Sequence, residues 1–313
     1  MPMTLASNRR DLTLLQKLWQ VNWSMVLLLT ALACIGFAML YSAAGGDLEP
    51  WAMKQIWRFG IGAVVMIAAA VVDIRHWYRF AYVFYGLGVV LLVGVELQGV
   101  VGMGAQRWLN IGPVQLQPSE FMKIGLVLAL ARWFNGIPVE FMGRILLLIP
   151  PLMLLAVPVG LVAKQPDLGT SLMLIMTTGV LFFAAGVRWW KFILVAAVGA
   201  GALPFAWNLL RDYQKARVLV FLDPSLDPLG AGYHIIQSKI ALGSGALMGK
   251  GFLQGTQSHL NFLPEKQTDF IFTMLAEEFG LIGCGVLLGM YVLLVIYGYA
   301  IAFRSTSQFG RLV

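Results

Sequence analysis

The chain has 313 residues, of which 59% are hydrophobic and 12% charged, against roughly a quarter charged in ordinary soluble domains, and this excludes a soluble globular fold. A net charge of +7 does not point to nucleic acid, because the basic residues stand singly, with no run or helical stripe for a phosphate backbone to follow. Cys34 and Cys284 each lie inside an apolar run without C-x-x-C spacing, so neither a disulfide framework nor a zinc site is implied.

Taken in chain order, residues 9 to 20 carry Arg9, Arg10 and Lys17 with Leu12, Leu15 and Trp19 near one helical face, the pattern of a short helix lying on a membrane surface. Spans of about 20 apolar residues are then expected at 23–41, 56–72, 77–95, 121–134, 145–162, 168–187, 192–210 and 270–303. The second and fourth are the weakest. The fold class expected is all-α, a polytopic transmembrane bundle in one membrane domain. The first span follows Arg9 and Arg10 and precedes Ser42, Ala43 and Ala44, as a signal peptide does. Its apolar stretch is longer than a signal core and more spans follow, so an uncleaved helix is expected.

Orientation follows from the bases. With the N-terminus inside, the inner segments hold eleven bases (Arg9, Arg10, Lys17, Arg75, Arg79, Arg132, Arg144, Arg188, Lys191, Arg304, Arg311) against three acids (Asp11, Asp73, Glu140). Six of the outer bases fall in one long segment, 211 to 269, and long segments count little in this rule. That segment carries the turn pairs Asp223-Pro224 and Asp227-Pro228 and an apolar-polar stretch from Tyr233 to Leu242, suited to a re-entrant or interfacial helix. A loop of this length among short connections implies a use.

Three clusters of ionisable groups sit at outer membrane boundaries, where charge is expensive. In residues 106–123, Pro118 suits a first helical position, Glu120 the first turn, and Lys123 at i+3 can pair with Glu120. Arg107, Trp108, Asn110 and Gln115 add an amphiphilic stretch suited to a lipid-linked polar substrate. In residues 163–171, Asp167 either caps the sixth span or stands beside a Lys164 that faces a phosphate-bearing ligand. In residues 262–280, Asp269 lies at the outer end of the eighth span, where water thins out. On a continuous helix Glu277 would point about 80° away and roughly 12 Å deeper. Glu277 and Glu278 cannot both face lipid, so at least one meets the bundle interior or a cavity, as part of a structural network or of catalysis.

Gly245 and the pair Gly249-Lys250 have the spacing G-x-x-x-G-K, with Gly251 in place of a Ser or Thr and no preceding strand, so no phosphate loop is expected. His76, His234 and His259 lack metal-ligand spacing.

The strings AQRWLNIG, QPSEFMK, KQPDLGTS and LPEKQTDFIF followed by AEEFG, in this order, resemble the SEDS family (shape, elongation, division and sporulation proteins), its elongation branch most closely. The resemblance covers the chain from the first span to the eighth, whereas family members usually have ten. It implies a peptidoglycan glycosyltransferase that polymerises lipid II in the bacterial cytoplasmic membrane, working with a class B penicillin-binding transpeptidase and other elongation-complex membrane proteins. By the resemblance, the family's essential outer-loop aspartate falls on Asp269. Its acid and base fall on Glu120 and Lys123, its Q-R-W on Arg107 and Trp108, and its K-Q-P-D turn on Lys164 and Asp167.

The mechanism expected is inverting, with Asp269 as general base on the acceptor hydroxyl. Lys123, Arg107, Lys164, Arg211, Arg217 and Lys239 are the candidates to stabilise the leaving diphosphate. A divalent cation, magnesium or manganese, could assist, although no ligand set stands out. Two other classes fit the composition: a flippase for lipid-linked precursors, with Glu277, Glu278 and Lys123 along a path, and a scaffold for the transpeptidase. The location of all three clusters on one side favours the enzyme, since a transporter places groups along a route near the midplane.

Overall fold

A computed structural model describes residues 13–102, 105–111, 114–142, 144–210, 212–228, 230–256 and 266–313. It is helical at α1 (Leu14–Trp19), α2 (Trp23–Ala43), α3 (Ala52–Val71), α4 (Ile74–Gln98), α5 (Pro118–Phe134), α6 (Ile145–Lys164), α7 (Leu168–Ala185), α8 (Trp189–Leu209), α9 (Asp212–Leu222), α10 (Ala231–Ser244), α11 (Ile271–Arg304) and α12 (Gln308–Leu312). Each of the eight expected spans falls on one of these helices. Six of them, α2, α3, α4, α6, α7 and α11, are long and apolar enough to cross a membrane, and α8 adds the shorter apolar stretch Trp189–Phe205. Large apolar side chains such as Leu27, Val64, Val90, Leu172 and Val292 are exposed on them, which a bilayer, unlike water, accommodates. This is a membrane protein with several spanning helices.

The chain divides into two compact units, Met1–Val71 with Pro204–Tyr299, and Val72–Leu203 with Ala300–Val313. In the second unit α5 is the hub. It buries ten residues, among them Met122, Leu126, Leu130 and Phe134, and meets α4, α6, α7 and α12. Its weak span signal has this cause: at 17 residues it is short, and it is wrapped by protein. Close packing against α4 uses a small residue on the facing surface: a Cβ at Gly125 would meet the Phe84 carbonyl oxygen at 3.1 Å. α12 closes the same core through buried Phe309, whose N–H donates to Asn135 Oδ1 at 3.0 Å.

One element was not expected from the sequence. Between α4 and α5 the chain forms β1 (Val100–Gly102), β2 (Ala105–Ile111) and β3 (Val114–Leu116), an antiparallel sheet in the order β1-β2-β3. Leu109 pairs with Leu116 and Asn110 with Gln115. The amphiphilic stretch of the first cluster is this sheet. β1 and β3 have only three residues each, too few for alternation to announce them, and the seven of β2, AQRWLNI, do not alternate.

In the first unit, α2 and α3 pack together, and the 211–269 segment supplies α9 and α10, with α10 spanning the stretch expected to be helical. Arg9, Arg10 and Arg211, and residues 257–265 with His259 and the start of the third cluster, lie outside the described residues. Arg217 falls on α9.

Candidate functional site

In the second unit the first two clusters meet. Asp167 is the N-cap of α7, its Oδ1 accepting the Thr170 N–H at 3.2 Å and its Oδ2 the Thr170 hydroxyl at 2.9 Å, so the capping role offered by the sequence is filled. Its carboxylate also faces Arg107 on β2, whose Nε lies 3.4 Å from Oδ2. Arg107 Nη2 donates to the Pro166 carbonyl at 3.2 Å. Cap and counterion are therefore one buried group serving both β2 and α7.

Buried Gln165 fastens the same turn to α4 by donating Nε2 to the Leu92 carbonyl at 3.1 Å. Exposed Lys164 stands 3.7 Å from Glu96 Oε1. Neither Gln165 nor Glu96 stood out in the sequence, because each acts through a partner on another element. Glu120 and Lys123 pair at 2.8 Å in the first turn of α5, with side chains 59% and 31% exposed, an ion pair of little energetic weight. Trp108 is half-buried on β2 opposite Val100.

The first unit holds the third cluster. Asp269 is exposed, in the turn immediately ahead of α11, so the continuous-helix offset expected between it and Glu277 does not apply. Just before it, burial lowers the Lys266 ammonium below the usual lysine range. One turn into α11, Thr273 Oγ1 lies 2.8 Å from Ser238 Oγ on α10. The bond fixes α10, with exposed Lys239 next to Ser238, against the first turn of α11.

Deeper in the same unit, α11 is not one continuous helix. Gly280 has φ 64° and ψ −161°, a conformation in effect reserved for glycine, and a segment around Ala246–Gly251 enters the break. The N–H groups of Lys250 and Gly251 donate to the Glu277 and Glu278 carbonyls, and the N–H groups of Leu281 and Ile282 donate to the Ala246 and Leu247 carbonyls, all at 3.0–3.2 Å. Backbone groups freed by the break are thereby satisfied within the protein, as the membrane interior requires. At Gly249, where φ is +81°, a Cβ would stand 2.1 Å from the Glu278 carbonyl oxygen.

Glu277 and Glu278 are both buried, more than the sequence demanded. Glu277 Oε1 accepts from Lys250 Nζ at 2.7 Å and from Thr256 Oγ1 at 3.2 Å, and the Ser42 hydroxyl of α2 donates to Glu278 Oε1. The glycines of G-x-x-x-G-K thus serve a close backbone approach, and its lysine serves Glu277. Lys250 and Ser42 were named from the sequence only for a phosphate loop and a cleavage site, and Thr256, Ser238 and Thr273 were not singled out. A buried carboxylate in a membrane asks for a cation, and a lone lysine in the glycine-rich segment was the signal available.

Comparison with known proteins matches these elements to one family. The family model describing the FtsW, RodA and SpoVE cell cycle proteins covers residues 22–313. The peptidoglycan glycosyltransferase MrdB of Escherichia coli K12 is 43% identical over 293 residues, 93% of this chain and 78% of the relative. A solved structure concerned with coordination of polymerization and crosslinking by a peptidoglycan synthase complex is 32% identical. It aligns over 94% of this chain and 81% of its own, with a TM-score of 0.79. The crystal structure of the rod shape determining protein RodA of Thermus thermophilus is 29% identical over 94% of this chain and 79% of its own, at a TM-score of 0.67. On the family match and these identities, the chain belongs to the FtsW/RodA/SpoVE family.

Proposed function

We propose that this chain is a peptidoglycan glycosyltransferase that polymerises lipid II during cell elongation, with Asp269 as the general base of an inverting transfer. Support comes from its family and from one arrangement in the first unit. Exposed Asp269 stands directly ahead of α11, whose first turn is tied to α10 by Ser238 and Thr273. A carboxylate in a turn, backed by two joined helices, is open to a sugar hydroxyl and held in place to receive its proton.

In the step proposed, the acceptor hydroxyl oxygen bonds to the donor's anomeric carbon from the face opposite the polyprenyl diphosphate. The bond to the diphosphate breaks, the diphosphate leaves with the electron pair, and the hydroxyl proton passes to Asp269. Of the bases named from the sequence, Lys239 belongs to the same unit as Asp269 and is exposed, so it is the first candidate to meet the departing charge. Lys123, Arg107 and Lys164 each face a carboxylate of their own unit and would exchange that partner to bind a phosphate. Arg107 and Asp167 hold the sheet to the start of α7, which makes them positioning residues.

The chain lies in the bacterial cytoplasmic membrane with its N-terminus inside, following the distribution of bases. It works with a class B penicillin-binding transpeptidase, a partner suggested by the likeness to a synthase complex. The test is polymerisation of purified lipid II in detergent by the chain and its Asp269→Asn form, each alone and with the transpeptidase, with and without a chelator. A fall of about a hundredfold or more in the variant, at unchanged thermal stability, supports the base. Full polymerisation by the variant overturns it. Lipid II movement across vesicles without polymer would favour the flippase.

A further inference from the structure

Prolines shape a second feature, in the second unit and apart from the three ionisable clusters. α6 carries Pro150, Pro151 and Pro158 within its length. Proline has no N–H, so the carbonyls of Leu147 and Leu154, four residues before Pro151 and Pro158, lose their helical donors. Both are satisfied from neighbouring helices: Trp133 Nε1 of α5 donates to the Leu147 carbonyl at 3.3 Å, and the Tyr85 hydroxyl of α4 to the Leu154 carbonyl at 3.0 Å.

Beside these bonds α4, α5 and α6 leave a groove of about 710 Å³, lined by residues that include Tyr82, Tyr85, Trp133, Pro150, Met153 and Val157. Its volume suits a chain-sized ligand. Because the polar tips of Tyr85 and Trp133 are spent on α6, the groove presents almost no polar surface. A peptide would bring backbone N–H and C=O groups to a lining that has no partners for them. A hydrocarbon chain brings none.

The groove has a cation beside it. The Arg132 guanidinium stacks over the Tyr82 ring, which lines the groove, 4.5 Å from its centroid, and over Tyr78 at 4.9 Å. Its Nη1 donates to the Tyr78 and Arg79 carbonyls at 3.0 and 2.7 Å. Among the described residues, Nε and Nη2 make no hydrogen bond. An arginine fixed on one edge with donors left on the other is suited to a phosphate. Arg75 and Arg79 on α4 and Arg144 before α6 belong to the same end of these helices.

We propose that the groove binds an acyl chain of an anionic phospholipid whose phosphate is held by Arg132. That the lipid comes from the inner leaflet rests on the orientation proposed above. The binding itself does not, nor does it depend on the glycosyltransferase activity.

The test uses the full chain in phosphatidylcholine vesicles containing a small fraction of lipid brominated on its acyl chains, either phosphatidylglycerol or phosphatidylcholine. The readout is quenching of Trp133 fluorescence, taken as the difference from a Trp133→Phe form. Brominated phosphatidylglycerol is expected to be favoured by about fivefold, the effect of one base at an anionic surface. Arg132→Gln should remove that preference. Gly86→Leu should remove quenching beyond that by bulk lipid while leaving the helices in place, since Gly86 lines the groove and a Cβ there meets nothing within 4 Å. Arg132→Lys keeps the charge and should retain part of the preference, which guards against a failure of Arg132→Gln to fold. Equal quenching by the two lipids overturns the proposal, as does a preference that survives either Arg132→Gln or Gly86→Leu. Stronger competition by a polyprenyl phosphate than by phosphatidylglycerol overturns the identity of the ligand.

Discussion

Lys250 Nζ lies 2.7 Å from Glu277 Oε1, and the lysine N–H donates to the carbonyl oxygen of the same glutamate at 3.0 Å. One residue of the Ala246–Gly251 segment thus engages one residue of the broken helix through both backbone and side chain. Lys250→Met would take the lysine ammonium away from the carboxylate of Glu277, 0% exposed. The expected loss is about 3 kcal/mol, toward the lower end for orphaning a buried charge because the lysine side chain is itself partly exposed. Adding Glu277→Gln should recover much of it, and thermal unfolding of the two single variants and the double variant measures the coupling. A double variant as unstable as the sum of the singles would show that the pair contributes nothing.

Gly280→Ala should be costly in a way most helical glycines are not. Its φ and ψ belong to a region closed to other residues, a penalty on the order of 1–3 kcal/mol. A Cβ would also stand 2.4 Å from Gly249 N. Gly285→Ala, five residues on in the same helix, meets nothing within 4 Å and should be neutral or slightly stabilising. Similar melting temperatures for the two variants would argue for an unbroken helix.

The proline-orphaned carbonyls of α6 give a test by compensation. Tyr85→Phe removes the donor to Leu154 and should cost about 1 kcal/mol. In a Pro158→Ala background the restored N–H supplies that carbonyl from within the helix. The cost of Tyr85→Phe should then shrink toward zero. An unchanged cost would mean that the hydroxyl acts elsewhere.

Asp223 accepts the Ser225 hydroxyl at 2.6 Å and the Ser225 N–H at 3.0 Å, and these bonds hold its carboxyl below the usual carboxylate range. A group with a depressed folded value stabilises the fold above its unfolded value, and that contribution is lost as pH falls through the folded one. Ser225→Ala should raise the Asp223 midpoint in a carbon-13 carboxyl titration. A midpoint that does not move would assign the shift to another cause.

Arg107→Ala should lower polymerisation chiefly by loosening the sheet from the start of α7, since Asp167 keeps its bonds to Thr170. Arg107→Lys should restore little, because an ammonium cannot meet both Asp167 and the Pro166 carbonyl with the geometry of a guanidinium fork. Recovery of full activity by lysine would reduce the role of Arg107 to charge alone.

Several features were legible residue by residue because their causes are local. Apolar length marks the spans, Asp167 before Thr170 marks a cap, and Glu120 three residues from Lys123 marks a pair. The motifs carrying the family resemblance are likewise contiguous strings. The short sheet, the hub position of α5, the break in α11 and the partner of each buried acid were not legible. Ser42 reaches Glu278 across 236 residues and Lys250 reaches Glu277 across 27. At such separations no periodicity survives to announce a contact, and only chain packing decides it. A glycine whose Cβ would strike a backbone oxygen looks, in the string of letters, like any other glycine; its meaning at Gly249 and Gly280 comes from the segment that tertiary structure brings against it.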